Sequence, residues 1–122
     1  MKLKPALKPL TLPFTLKAGY RNYAVDYGHE GEMKGKRAWA EVNLEEGWIQ
    51  FAPSTTRQPK VQAENMIHEL LHVAWCDWGG GREKMREEEA VRALGRGLAT
   101  IFRDNPGLME WIRSRLEDDD ND

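Results

Sequence analysis

Apolar and polar residues alternate along Tyr20-Arg21-Asn22-Tyr23-Ala24-Val25-Asp26-Tyr27, a period-two pattern that predicts a strand with one buried face. Two further runs, Ala38 to Leu44 and Trp48 to Phe51, flank Glu45-Glu46-Gly47, which signals a hairpin. Between these regions Gly28 to Lys36 carries three glycines and reads as a loop. After Pro53 and Pro59 the pattern changes to a helix over about Val61 to Trp78, closed by Gly79-Gly80-Gly81. A second helix is expected over about Arg82 to Arg103, where Val91, Leu94, Leu98, Ile101 and Phe102 share a face and an acidic first turn suits the helix dipole. Asp104-Asn105-Pro106-Gly107 stops it, and Leu108 to Leu116, with Trp111 and Ile112, predicts a short helix that packs back. The class is α+β, with a small sheet preceding the helices.

At 122 residues the chain is one domain, too small for two lobes around a deep cleft, so any substrate lies across a shallow surface. The division is a Pro- and Lys-punctuated extended segment over 1–18, a body over 19–116 and an acidic tail over 117–122. A formal charge of −2 with 31% charged residues gives no general field for nucleic acid or membrane. Cys76 is the only cysteine, which rules out an internal disulfide or a thiolate zinc cluster and suits a reducing cytoplasm. Its place beside Trp75 suggests a packed thiol. Pro5, Pro9, Pro13 and the lysines between them interrupt the first apolar residues, so neither a signal peptide nor a membrane span is expected, and the location expected is cytoplasmic. The five tryptophans are read as core.

His68-Glu69-Leu70-Leu71-His72 carries the chemistry. Residues four apart stand one turn above each other on a helix, so His68 and His72 can aim ring nitrogens at one zinc ion, while Glu69 reaches a water beside it and serves as general base. With three histidines in the chain, chance produces H-E-x-x-H in about one shuffle of this composition in 200. The flanking Met66-Ile67 and Val73-Ala74-Trp75 describe a buried helix, in which imidazoles and a carboxylate need partners, and a metal supplies one.

Catalytic zinc ordinarily has three protein ligands, so another acid or histidine is required. Glu87, Glu88 and Glu89 are the natural source. On a helical wheel centred on Val91, Leu94, Leu98 and Ile101, Glu87 falls near the middle of the apolar face, Glu88 at its edge and Glu89 away from it. Glu88 is the choice, Glu87 its rival, and His29 in the glycine loop a weaker candidate.

The motif, with Glu87 through Leu98 and Asp104-Asn105-Pro106, resembles the zincin metallopeptidases of gluzincin type, and more narrowly the small phage-encoded ImmA/IrrE-like metallopeptidases, over about residues 37–112. That resemblance implies a minimal zincin-like domain: an antiparallel sheet of about three strands on the H-E-x-x-H helix, a following ligand-bearing helix and a short C-terminal helix. It implies that His68, His72 and Glu88 hold Zn2+, that Glu69 is the base, and that an edge strand, Trp48 to Phe51, aligns a peptide across the site. Tyr27 and His29 are the nearest residues in sequence for an oxyanion. The expected function is therefore a zinc-dependent hydrolase acting on a protein or peptide. The alternative is a zinc-stabilised binding or phage structural protein without turnover. A third reading, proteolysis of DNA-bound proteins, rests only on the basic residues of the first segment.

Overall fold

The computed structural model describes residues 11–28, 39–80 and 86–117. A four-stranded sheet carries three helices on one side. The strands are β1 (Phe14–Ala18), β2 (Arg21–Tyr27), β3 (Ala40–Asn43) and β4 (Trp48–Phe51), in the spatial order β1-β2-β4-β3. β1 and β2 form an antiparallel hairpin, β3 and β4 form another, and β2 joins the two by pairing parallel with β4. The sheet is thus mixed and larger by one strand than the antiparallel sheet of three expected from the sequence. The added strand lies inside the segment read as merely extended, where Phe14-Thr15-Leu16-Lys17-Ala18 alternates and buries Leu16 and Ala18 completely or nearly so.

Alternation also decides which face is covered. Leu16, Tyr23, Val25, Ile49 and Phe51 are fully buried beneath the helices, whereas Thr15, Asn22, Ala24 and Asp26 are exposed. β4 lies between β2 and β3, so it is an interior strand and cannot be the peptide-aligning edge expected of Trp48 to Phe51. The edge on that side is β3.

α1 (Pro59–Gly79) begins on a proline, whose fixed φ and missing N–H suit a first turn. It ends where Gly80 adopts φ 71° and its N–H donates to the Trp75 carbonyl. One side of α1, through Met66, Leu70 and Val73, packs on the sheet; another meets α2 (Glu87–Asp104) and α3 (Pro106–Glu117). Trp111 of α3 fills the space under the sheet, edge-on to Phe14 and tilted against Phe51, with Arg115 stacked 4.2 Å from its ring centre. It is the one fully buried tryptophan among the described residues; Trp48, Trp75 and Trp78 are half-buried and Trp39 is 43% exposed. No helix among the described residues is long and apolar enough to cross a membrane.

α2 turns differently from the expected wheel. Its buried residues are Ala93, Gly97 and Ile101, with Leu94, Leu98 and Phe102 beside them, while Val91 is 58% exposed. Where α2 comes closest to α1 the residue is a glycine: Gly97 sits against Ala74 and Trp78 at a separation that leaves no space for a side chain. The end of α2 is tied to β1 by Asn105, which accepts from the Lys17 N–H at 2.8 Å and donates to the Lys17 carbonyl at 2.6 Å.

Tyr23 holds its hydroxyl in the core without a hydrogen-bond partner among the described residues, and burial pushes the phenol above its ordinary range. Tyr23→Phe removes that unsatisfied group while keeping the ring, so chemical denaturation should show a gain of about 1 kcal/mol. Asp77 gives a pH-dependent counterpart. Partial burial raises its carboxyl and the Arg21 charge offsets this only in part. Because the folded value exceeds the unfolded one, ionised Asp77 costs stability above the folded pKa, and the cost disappears below the unfolded one. Asp77→Asn should therefore stabilise the protein at neutral pH, by up to about 0.5 kcal/mol at so exposed a position, and the difference should vanish below about pH 4.

Candidate metal centre and groove

α1 presents His68 and His72 one turn apart, with the two Nε2 atoms 3.1 Å from each other and the rings nearly perpendicular at 77°. Two nitrogens bound to one tetrahedral zinc at the usual bond lengths stand about 3.3 Å apart, so this pair fits a shared cation with little adjustment. The same spacing also suits a direct N–H···N hydrogen bond when no metal is present. Both imidazoles are exposed, contrary to the buried helix inferred from the flanking apolar residues. Those residues serve two packed sides, against the sheet and against α2 and α3, and the histidines occupy the remaining open side.

Glu69 is different. It is only 5% exposed, and burial pushes its carboxyl above the usual range; the nearby His68 opposes the shift and the charge of Glu41 adds to it. A groove of about 340 Å3 opens beside it, lined by Ala40, Glu41, Val42 and Leu44 on one wall and Glu69 and His72 on the other. Sequence reasoning missed Glu41. The signal available was its position in the strand just before the motif helix, but only the fold shows that this strand is the neighbour of Glu69.

The hydrogen-bond alternation of β3 explains what the groove exposes. Ala52 donates its N–H to the Trp39 carbonyl, and Glu41 pairs with Gln50, so residues 39, 41 and 43 direct their backbone groups towards β4. Ala40 and Val42 therefore turn their N–H and C=O to the open edge, and among the described residues no strand pairs with that edge. Their side chains share the α1 face with Phe51 and Ile49, whereas Glu41 shares the outer face with Gln50 and borders the groove at its rim.

The structure does not bring Glu88 to the histidines. Its carboxylate lies 3.5 Å from Arg92 in an exposed ion pair, with Glu88 76% exposed. Gly97 meets Ala74 and Trp78, and Glu88 precedes Gly97 by about 13 Å of helix rise, so the first turn of α2 lies towards the far end of α1 from the motif. Glu87 and Glu89 are exposed as well. The wheel centred on Val91, Leu94, Leu98 and Ile101 pointed Glu89 away from the apolar face, and the residue is exposed. Among the described residues no three His, Cys, Asp or Glu side chains are grouped as a metal site. His29 lies outside the described residues, as do 82–85 of the expected second helix, 118–122 of the acidic tail and most of the glycine loop. Tyr27 is engaged elsewhere, accepting from Gln62 Nε2 at 3.0 Å. Cys76 is half-buried.

Comparison with family models, with curated proteins and with solved structures returned no match. The class defined by fold and site is thus an α+β domain whose sheet edge faces a histidine pair and a buried glutamate.

Proposed function

We propose that the protein is a zinc metallopeptidase that draws an extended peptide along β3 and hydrolyses it beside Glu69. One observation carries the reading: the Nε2 atoms of His68 and His72 converge to 3.1 Å next to a buried carboxyl whose pKa is raised, at a groove beside a strand edge that no strand among the described residues covers. His68 and His72 would hold the metal, which when bound supplies Lewis acidity towards a carbonyl and a water. Glu69 takes a proton from that water and passes it to the nitrogen of the departing amine. Burial suits it to both steps, since a carboxyl raised from its ordinary value both binds and releases a proton nearer neutral pH. Ala40 and Val42 bond the peptide backbone and hold it extended.

Of the ligands implied by the resemblance, Glu88 would need movement of the first turn of α2 to reach the histidines. Metal content measured by mass spectrometry decides the set. Protein purified without chelator or metal-affinity resin should hold one zinc per chain, and His68→Ala or His72→Ala should each lower retention at least about 100-fold. Loss in Glu88→Ala, Glu87→Ala or Glu89→Ala identifies the third ligand; retention in all three leaves a two-histidine site completed by water. Wild-type protein that takes up no zinc on incubation sinks the metallopeptidase reading and leaves the histidines as a hydrogen-bonded surface pair.

A further inference from the structure

We infer that the β3 wall of the groove selects extended segments carrying apolar side chains two residues apart, one alongside Ala40 and one alongside Val42. The substrate class is therefore a strand-forming stretch in which apolar residues alternate with others, the pattern of a half-buried strand. This rests on the peptidase reading above and adds to it the chemistry of the substrate.

Ala40, Val42 and Leu44 are half-buried: each packs against the core and also lines the groove across from Glu69 and His72. A peptide bonded to the outward backbone groups of Ala40 and Val42 becomes the strand next to β3, about 4.8 Å away. Its side chains level with Ala40 and Val42 fall on their face, towards α1, and the residue between them turns to the outer face, whichever way the peptide runs. The peptide is therefore read at alternate positions by unlike surroundings. Ala40, Val42 and Leu44 carry no polar side-chain atom. Across from them, Glu69 and His72 are committed to the water and the metal in the peptidase reading, which leaves a polar peptide side chain on this face without a partner. An apolar one instead takes the strand wall out of water. Ala40 projects a single carbon, so the position alongside it has more room than the one alongside Val42.

The test uses short labelled serine-rich peptides carrying two valines that are adjacent, two residues apart or three residues apart, with unfolded casein as a general substrate. Binding is followed by fluorescence anisotropy on zinc-loaded Glu69→Gln protein, and cleavage on zinc-loaded wild type. The peptide with valines two apart should bind and be cut about five- to ten-fold better than the other two, the size expected from half-burying one more valine. Val42→Thr, which keeps the shape and adds a hydroxyl, should reduce that advantage a few-fold. Ala40→Val should weaken a peptide with leucines two apart more than its valine counterpart, because it narrows the roomier position. Should either variant fail to fold, the spacing series on the unaltered groove still decides. Casein cut while the peptides are bound or cut without regard to spacing, or are not bound at all, overturns the inference and leaves the peptidase reading standing. A spacing preference that neither variant changes moves the contact away from β3 and overturns it too. Binding that follows the spacing, with neither casein nor any peptide cut, keeps the preference of the groove and overturns the peptidase reading. Zinc-loaded protein that neither binds nor cuts any of them overturns both.

Discussion

Gly97→Leu should abolish cooperative folding, and even Gly97→Ala should lower stability by about 1–2 kcal/mol in urea denaturation. A Cβ at this position would lie 2.7 Å from Ala74 Cβ, 2.9 Å from Trp78 Cε3 and 3.1 Å from Ala74 Cα, all closer than ordinary contact. Helix propensity acts the other way, since alanine is about 1 kcal/mol better than glycine inside a helix. Overpacking wins because one of the contacts is with helix backbone, which cannot rotate aside. A leucine must force α1 and α2 apart, at a cost of about 3 kcal/mol or more against a total stability of order 5–15 kcal/mol. Gly95 is the control on the same helix: nothing lies within 4 Å of its missing Cβ, so Gly95→Ala should stabilise by about 0.5–1 kcal/mol. A double-mutant cycle ties the effect to the contact, because in an Ala74→Gly background the penalty of Gly97→Ala should shrink by about 1 kcal/mol. If Gly97→Ala and Gly95→Ala prove equally stabilising, the close packing of α1 on α2 is wrong, and with it the placement of Glu88 beyond the motif.

That same contact shows where sequence reading stops. The helices were legible because their boundaries are local: Pro59 starts α1, Gly80 stops it in the left-handed conformation, and Asn105-Pro106 separates α2 from α3. The hairpin of β3 and β4 was legible from its turn, where Gly47 has φ 79°. What could not be read is how these pieces meet. The rotation of α2 depends on Gly97 finding Ala74, which moves the buried stripe from Val91 to Ala93 and Gly97, and a wheel drawn from large apolar residues alone misses it. The parallel pairing of β2 with β4 depends on Tyr23 and Val25 sharing the core with Ile49 and Phe51, a non-local choice. β1 was visible in its alternation but obscured by the surrounding prolines and lysines.

The site divides the same way. Spacing on one helix brings His68 and His72 together whatever the rest of the chain does, and the structure places them within 3.1 Å. Exposure of the two rings and burial of Glu69 between them and the sheet are consequences of packing, not spacing. Glu41 enters through strand order: β4 is inserted between β2 and β3, which leaves β3 at the edge over the groove.

Glu69→Gln should leave zinc bound and the fold intact while lowering kcat by about 10²–10⁴ with little change in KM. The amide keeps the shape of the side chain but cannot take up the proton, so a role as general base predicts loss of turnover without loss of binding. Stability should move in the opposite direction. Burial raises the Glu69 carboxyl, so its charged form is disfavoured in the fold at neutral pH, and a neutral amide of the same size should hold or raise the denaturation midpoint there. Activity lost with stability kept or gained is the signature of a residue retained for chemistry at the expense of the core. The three readouts separate the possibilities: zinc lost together with activity makes Glu69 part of the metal's support, a lowered midpoint makes it structural, and turnover that persists removes the general base from the mechanism. Only zinc kept, stability kept and turnover lost agrees with a carboxyl placed at 5% exposure on the wall of the groove to move a proton.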